Sequence, residues 1–361
     1  MGKIPIAIIG ATGIVGQQFM VALQNHPWFE IYRLVASERS AGKNYREALY
    51  HDGIFGWYCD EGLKEELLEM RVISMDEFKP RDVKIVFTAL DSSEAKVIEP
   101  KLAEKIPVIS TASSFRYFDD IPILIPGVNN EHVELIRVQR EKRGWEGFIT
   151  PIPNCTTTGL AITLKPLDET FGLEKVLMTS LQAVSGAGRT SGVLALDILD
   201  NVIPYIPREE EKVQRETKKI LGRFTGNSIE FSDVQVSCTC IRVNVRDGHT
   251  ESVFVSMKKE ADVEEAKQAF RTFGKSLREL NLPSAPKEMI VVHEDPSRPQ
   301  PRLDRDTYDG MATIVGRVRK DEALPNGLKY VLLSHNTKMG AAKGAVLVAE
   351  LLSKFGFIEG F

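Results

Sequence analysis

Short runs of β-branched residues alternate with helical patterns throughout the first half of the chain. IPIAIIG at 4–10, VKIVFTA at 83–89 and IPVIST at 106–111 are such runs, and IVGQQFMVALQNH at 14–26 has a helical pattern. IPILIPG at 121–127 has the character of a further strand. Alternation of this kind predicts a parallel, doubly wound sheet with helices on both faces, which makes the first half an α/β domain.

From about residue 156 the pattern changes to long segments in which apolar and polar residues alternate. DVQVSCTCIRVNV and HTESVFVSMKK have this period, as do TIVGRVRK and LKYVLLSH, which a PNG turn joins. Such segments predict a mixed or antiparallel sheet and hence a second, α+β domain. We place the first domain at 1–154, completed by a C-terminal helix at about 337–361, and the second at 155–336. Further helices are predicted at 191–203, 209–224 and 262–280.

Charge and composition exclude several classes of function. The formal net charge is -4, and basic residues are interspersed with acidic ones, so we expect no nucleic-acid partner. No apolar run reaches the roughly 18 residues that a membrane span needs, and no signal-peptide pattern is visible, so we expect a cytoplasmic protein without membrane contact. The chain has four cysteines and no second cysteine or histidine pair at metal spacing, so we expect neither a disulfide framework nor a metal site.

A glycine-rich turn, GATGIVG, follows the first predicted strand. Glycines between a strand and a helix let the backbone approach a pyrophosphate, and the helix N-terminus supplies N–H donors, as in Rossmann-type domains. The spacing G-x-x-G-x-x-G departs from the usual G-x-G-x-x-G, so a tight turn without a ligand is the alternative. The predicted cofactor contacts in this turn are Gly10, Thr12, Gly13, Ile14, Val15 and Gly16.

The end of the second strand, VASERSAGK, should distinguish NADP from NAD. Ser37, Arg39, Ser40 and Lys43 favour a 2′-phosphate, whereas Glu38 argues for a 2′-hydroxyl. We therefore predict NADP, with a polar loop that binds nothing as the alternative. The segment TALDSSEA ends another strand at the edge where such sheets bind ligands. Its predicted contributions to the cofactor wall are Leu90, Ser92 and Ser93.

Cys155 lies in PNCTTTGL, directly before a helical pattern. A thiol at a helix N-terminus has a lowered pKa and reacts as thiolate, and the threonines that follow are expected to cap the helix. A small buried side chain without chemistry is the alternative interpretation.

His249 follows a D-G turn at the start of a predicted strand, and Arg242 lies seven residues earlier. A hairpin would bring the two side chains onto neighbouring strands. The cation could then bind a substrate anion while the imidazole transfers a proton. An exposed turn histidine is the alternative.

Several motifs occur in order along the whole chain: GATGIVG, SSFR, PNCTTTGL, QAVSGAG, EEEK, RVNVRDGHTESV and HNTKMGAAKGA. In this order they resemble the aspartate-β-semialdehyde dehydrogenase family, and most closely its archaeal and fungal branch. The elements PNCTT and R-x6-H-T-E are the most specific parts of the resemblance.

The resemblance implies an enzyme that converts aspartate semialdehyde and inorganic phosphate to aspartyl phosphate with NADP, in the biosynthesis of lysine, threonine, methionine and isoleucine. A thiohemiacetal and a thioester would form on Cys155, and His249 would be the acid/base. Of the two candidate acids, Glu209 would bind the substrate amino group, with Glu210 as the alternative register. The other residues implied are Gln182 for the acyl group, Arg242 for the substrate carboxylate, Arg116, Asn154 and Lys212 for phosphate, and Ser185, Gly186 and Asn336 for the cofactor.

The resemblance also implies a homodimer or homotetramer, with catalysis and dimer contacts in the second domain. Three alternatives remain open. A malonyl-CoA or succinyl-CoA reductase shares the scaffold, and N-acetylglutamyl-phosphate reductase shares the covalent catalysis by a cysteine. A catalytically inactive NADP-binding sensor would keep the glycine-rich turn but lack the thiol or the imidazole.

Overall fold

The computed structural model describes residues 2–188 and 193–359. Within these residues, no helix has the length and apolar character needed to cross a bilayer. The strands are β1 Ile4–Ile9, β2 Phe29–Val35, β3 Tyr50–His51, β4 Ile54–Phe55, β5 Val72–Ile73, β6 Ile85–Thr88, β7 Pro107–Ser110, β8 Phe148–Pro151, β9 Leu173–Gln182, β10 Arg223–Phe224, β11 Ile229–Glu230, β12 Gln235–Arg242, β13 His249–Met257, β14 Ile290–His293, β15 Thr313–Asp321 and β16 Gly327–Ser334. The helices are α1 Ile14–Leu23, α2 Tyr45–Ala48, α3 Glu65–Leu68, α4 Ser92–Ala103, α5 Leu135–Arg143, α6 Cys155–Phe171, α7 Ala195–Ile198, α8 Glu209–Ile220, α9 Val263–Thr272, α10 Lys275–Glu279, α11 Pro301–Asp304 and α12 Ala342–Lys354.

The first half forms a six-stranded sheet in the order β5-β2-β1-β6-β7-β8. All five pairs of neighbouring strands in it are parallel, as the alternating pattern predicts. Strands β1, β6, β7 and β8 are buried on both faces, because helices cover both sides of a doubly wound sheet, whereas Glu30 and Tyr32 of β2 are exposed. The C-terminal ends of β1 and β6 lie side by side, which brings Gly10 and Leu90 to the same edge.

The predicted strand at 121–127 is wrong. Residues 121–125 are buried, but they pair with no strand. Side chains bind their backbone instead: Asn129 accepts from the Ile125 N–H at 2.9 Å and donates to the Ile123 carbonyl at 2.8 Å, and Lys219 donates to the Ile121 carbonyl at 2.7 Å. A buried backbone needs hydrogen-bond partners, and side chains supply them here as a ladder would elsewhere.

The second half forms a mixed sheet in the order β12-β9-β13-β16-β15-β14, as predicted. One local prediction is wrong, because β12 and β13 do not form a hairpin. β9 lies between them, parallel to β12 and antiparallel to β13. Arg242 and His249 therefore stand two strands apart, with Gln182 at the end of the intervening strand.

Three predicted helices differ from the observed ones. The helix predicted at 262–280 is divided into α9 and α10 at Gly274, whose φ of 82° no helix interior allows. α8 ends at Ile220, before the predicted 224. In the segment 191–203, the described part is helical only in α7, and residues 191 and 192 lie outside the described residues.

The C-terminal helix α12 returns to the first half of the chain and packs against α1, as predicted. A buried hydrogen bond joins α12 to the segment after α1, since the His26 Nε2 lies 2.7 Å from a carboxylate oxygen of Glu350. The two large sheets fall on either side of residue 155. The division of the chain at 154/155 itself stays a prediction.

Candidate active site

Cys155 is the first residue of α6, which is buried along most of its length. The residue that caps this helix is Asn154 and not a threonine, contrary to the sequence-based expectation. Its side-chain oxygen accepts from the backbone N–H groups of Thr156 at 3.0 Å and Thr157 at 3.1 Å. Asparagine is a strong N-cap, because its oxygen satisfies donors that the helix cannot. The cap fixes the position of the thiol relative to the helix axis.

His249, the first residue of β13, meets Cys155 across 94 residues of sequence. Its Nε2 lies 3.2 Å from the Cys155 sulfur. Its Nδ1 accepts from the backbone N–H of Ala183 at 3.1 Å. A neutral imidazole carries one proton, so this contact assigns that proton to Nε2, where it points at the sulfur. Cys155 and His249, which the sequence predicts to act together, are therefore in contact in the structure.

Burial makes the resting pair neutral. It raises the pKa of the Cys155 thiol to about 12, with a further contribution from the negative charge of Glu209. Burial, together with the positive charge of Arg242, lowers the pKa of His249 to about 3. The prediction that the thiol pKa is lowered is wrong: the Thr156 N–H at the helix start does lower it, but desolvation of the thiolate outweighs this effect.

Arg242 ends β12 and is buried beside Cys155 and His249. Its guanidinium donates to the Ala183 carbonyl at 2.6 Å, the same residue whose N–H binds His249. Gly186 permits this arrangement, because a Cβ there would lie 3.1 Å from the Arg242 Nη1 and 3.2 Å from the His249 ring. Gln182, almost fully buried, donates to the Ser180 hydroxyl at 3.1 Å.

The start of α8 brings its charged residues to the Cys155 helix. Glu209 accepts from the Asn154 side-chain amide at 2.7 Å and from Lys212 at 3.2 Å. Glu210 points elsewhere, since its carboxylate accepts from the Cys240 backbone N–H at 3.1 Å. Of the two registers left open by the sequence, only Glu209 lines the cleft that Cys155 faces.

That cleft has a volume of about 700 Å³. An adjoining cleft of about 410 Å³ runs along the glycine-rich turn and shares Ile14, Val15 and Leu90 with it. The predicted residues that line the first cleft are Arg116, Asn154, Cys155, Ser92, Ser185, Gly186, Glu209, Lys212, Arg242 and Asn336. Those that line the second are Gly10, Thr12, Gly13, Ile14, Val15, Ser37 and Leu90.

Both halves of the chain match known protein families. Residues 5–136 match the NAD binding domain of semialdehyde dehydrogenase, and residues 164–339 match the semialdehyde dehydrogenase dimerisation domain. The aspartate-semialdehyde dehydrogenase of Archaeoglobus fulgidus is 49% identical over 350 residues, 97% of this chain and 98% of the relative. That of Candida albicans is 42% identical over 363 residues, 96% of each chain.

The chain belongs to the aspartate-semialdehyde dehydrogenase family.

The fold agrees with a solved member of the family. The crystal structure of the Candida albicans aspartate-semialdehyde dehydrogenase with NADP superposes with a TM-score of 0.87 at 39% identity, covering 99% of this chain and 100% of that one. The resemblance to the archaeal and fungal branch is thereby confirmed, and membership places the chain among oxidoreductases.

Four predicted cofactor residues line neither cleft: Gly16, Arg39, Ser40 and Ser93. Gly16 allows α1 to lie against β1, because a Cβ there would come 2.2 Å from the Gly10 carbonyl oxygen. Ser40 is buried in the turn after β2, and Arg39 is exposed beside it. Their roles as cofactor ligands stay predictions.

The thiol pKa can be tested by alkylation. We expect iodoacetamide to modify Cys155 at pH 8 at least about tenfold more slowly than a free cysteine, because a raised pKa leaves little thiolate. The rate should climb with pH beyond 10. Replacing Glu209 by Gln should speed the reaction by removing a negative charge that raises the pKa. Peptide mapping by mass spectrometry measures Cys155 separately from the other thiols.

Replacing Glu210 by Gln is the matched control, since that carboxylate binds the Cys240 N–H. It should leave the alkylation profile unchanged. A profile with its midpoint below pH 8 would show that the thiol pKa is lowered, contrary to the effect of burial.

Proposed function

We propose that this protein interconverts L-aspartate 4-semialdehyde plus phosphate and L-4-aspartyl phosphate, with NADP as hydride carrier, in biosynthesis of the aspartate-derived amino acids lysine, threonine, methionine and isoleucine. The observation that carries the proposal is the 3.2 Å contact between the Cys155 sulfur and His249 Nε2, at a cleft continuous with the glycine-rich turn. A nucleophile and a base within hydrogen-bond reach are what covalent catalysis requires. The family to which the chain belongs supports the choice of substrate.

The glycine-rich turn fits a dinucleotide. Gly10 has a φ of 82°, and a Cβ there would lie 2.3 Å from the Ala89 carbonyl oxygen, so only glycine leaves room at this point. No side chain caps α1, so its first N–H groups are available to a pyrophosphate. Ser37 lines the same cleft, where it would meet the 2′-phosphate of NADP with help from Arg39 and Ser40. When bound, the nicotinamide supplies hydride to the acyl carbon or receives it.

The reacting residues form and break the acyl bond. In the biosynthetic direction, the Cys155 sulfur bonds to the carbonyl carbon of aspartyl phosphate, the C–O bond to phosphate breaks, and the thiol proton passes to His249. The resting imidazole carries its proton on Nε2, so Nε2 can take the thiol proton only in the other neutral tautomer, in which the ring proton lies on Nδ1 and the contact with the Ala183 N–H is broken. Asn154 already binds the Thr156 and Thr157 N–H groups, so the Cys155 N–H is the donor at the start of α6 that would stabilise the oxyanion. In the reverse direction the same bonds form and break in the opposite order.

Charged groups around the thiol match the charges of the substrates. Arg242 would bind the substrate carboxylate, Glu209 the amino group and Gln182 the acyl oxygen. Arg116 would bind phosphate together with Asn154 and Lys212. Arg116 is buried, and its Nε has no hydrogen-bond partner within the described residues. A buried guanidinium is costly unless its donors are used, and Arg116 lines the cleft, where an anion would bind donors that the protein leaves free.

We propose a homodimer or homotetramer, since residues 164–339 match a dimerisation domain. Leu177 and Leu181 are exposed on the outer face of the second sheet, where a second copy could cover them. A cytoplasmic location stays a prediction.

The acyl acceptor decides between this function and the acyl-CoA reductase alternative. NADP reduction should be followed with aspartate semialdehyde in the presence of phosphate, of coenzyme A, or of neither. We expect turnover to depend strongly on phosphate and to gain nothing from coenzyme A. Turnover with coenzyme A alone would replace the proposed function by the reductase. The inactive sensor predicts no turnover under any of the three conditions.

A further inference from the structure

Glu216 is a fully buried carboxylate on α8 that the sequence analysis did not single out. One of its oxygens accepts from the Arg116 guanidinium at 3.0 Å and from the Tyr117 hydroxyl at 3.2 Å. The other accepts from the backbone N–H of Asn154 at 2.7 Å. One side chain thus joins two segments that are distant in sequence, and each of them ends in the cleft.

The two segments carry different parts of the proposed chemistry. Asn154 caps α6 and directly precedes Cys155, so its backbone N–H fixes where the nucleophile begins. Arg116 is the cation proposed for phosphate, and its second anchor is the Thr111 carbonyl at 3.1 Å. These two anchors use two of the five N–H donors of the guanidinium, which leaves the others for an anion.

The same helix also holds the backbone that carries Arg116. Lys219 is nearly fully buried, and its ammonium donates to the carbonyls of Arg116 at 2.9 Å and Phe118 at 2.7 Å. Glu209, Lys212, Glu216 and Lys219 are spaced by three or four residues, so they share one face of α8. The first residues of that face, Glu209 and Lys212, line the cleft. The later ones, Glu216 and Lys219, bind Arg116 in the cleft wall.

We propose that Glu216 is a positioning residue of the phosphate subsite, which holds the Arg116 guanidinium and the start of the Cys155 helix at a fixed distance from each other. This inference rests on the proposed function. Buried charges are costly unless paired and fully hydrogen-bonded, and two carboxylate oxygens that accept from opposite sides meet that demand. One rigid group then holds the phosphate subsite and the attacking sulfur at a fixed separation.

A glutamine at this position can serve only one side. Its single oxygen can accept either from Arg116 or from Asn154, and its amide then presents a donor to the other donor. We therefore expect Glu216→Gln to raise the KM for phosphate by about 10- to 100-fold and to lower kcat less. The KM for NADP should stay near the parental value, since Glu216 binds no residue that lines the cleft along the glycine-rich turn.

The matched control is Glu350→Gln. Glu350 is likewise fully buried and accepts from the His26 ring at 2.7 Å and from the Ser284 N–H at 3.0 Å, away from both clefts. It should lower the melting temperature to a similar degree without changing the KM for phosphate. An equal rise in that KM in both variants would show a general effect of destabilisation and overturn the proposal.

A double-mutant cycle with Arg116→Ala separates positioning from mere packing. If Glu216 acts through Arg116, then Glu216→Gln should add less than about threefold to the KM for phosphate once Arg116 is absent. If the rises in KM of the two single variants multiply in the double variant, Glu216 acts independently of Arg116, which contradicts the proposal. Should Glu216→Gln not fold, Glu216→Asp keeps the charge with a shorter reach and should show the same pattern in smaller measure.

The outcome also distinguishes this inference from the proposed function. A parental protein that turns over without phosphate dependence would refute the function. Phosphate-dependent parental turnover with an unchanged KM in Glu216→Gln would refute only the positioning role.

Discussion

Replacing Cys155 by Ala should reduce turnover of aspartate semialdehyde by at least about 10³-fold while NADPH binding is unchanged. The sulfur is the atom that would bond to the acyl carbon, and no other thiol lines the cleft within the described residues. The methyl group of alanine also removes the contact with His249 without adding bulk. Initial rates measure the first effect, and NADPH fluorescence titration measures the second.

Cys59→Ala is the matched control for this variant. It also removes a buried thiol, but Cys59 lies in the first half of the chain and lines neither cleft. It should retain parental turnover apart from any loss of stability. Near-parental turnover in Cys155→Ala would mean that the reaction does not pass through a bond to this sulfur.

His249→Asn should lower kcat by about 10²- to 10⁴-fold, the usual contribution of a proton-transfer group. Asparagine keeps polar atoms near the sulfur but has no titratable ring. Because burial and Arg242 lower the pKa of His249 to about 3, the imidazole is neutral from about pH 5 upward. We therefore expect no acid limb from this residue in the pH profile of kcat/KM for the parental enzyme between pH 5 and 8.

His132→Asn controls for the loss of a buried histidine. The His132 ring is bound to Asn129 at 2.9 Å and to the Gly222 carbonyl at 3.0 Å, and it lines neither cleft. It should lose stability but keep its kcat. If His249→Asn lowered the melting temperature alone, His249 would be a structural residue, and an acid limb near pH 6 in the parental profile would contradict its burial-lowered pKa.

Local periodicity predicted the first sheet well, because parallel strands covered on both faces leave continuous apolar runs in the sequence. It failed at 121–127, where Asn129 and Lys219 replace a neighbouring strand as partners of the backbone. It also failed for β12 and β13. The insertion of β9 depends on contacts between residues about 60 positions apart, which no local pattern encodes.

The pair of Cys155 and His249 could be identified from the sequence, but the shifts of their pKa values could not. A helix start is visible in PNCTTTGL, whereas the burial that raises the thiol pKa is a property of the folded cleft. Glu216 was missed for a similar reason. In the charged segment EEEKVQRETKK it looks like one more solvated residue, and only packing against Arg116 and Asn154 removes it from water. The available signal was its seven-residue spacing from Glu209, which puts both on one helix face.

The strand between Arg242 and His249 has a consequence for substrate length. Adjacent strands in a sheet are spaced by about 4.8 Å, so the two backbones stand about 10 Å apart across β9. If Arg242 receives the substrate carboxylate and His249 faces the carbonyl, the sheet works as a gauge of how many carbons separate those groups. Hydrogen-bonded strands hold the two backbones at that spacing, and the Arg242 and His249 side chains approach each other near Gly186, so we expect a longer acid semialdehyde to fit less well between them.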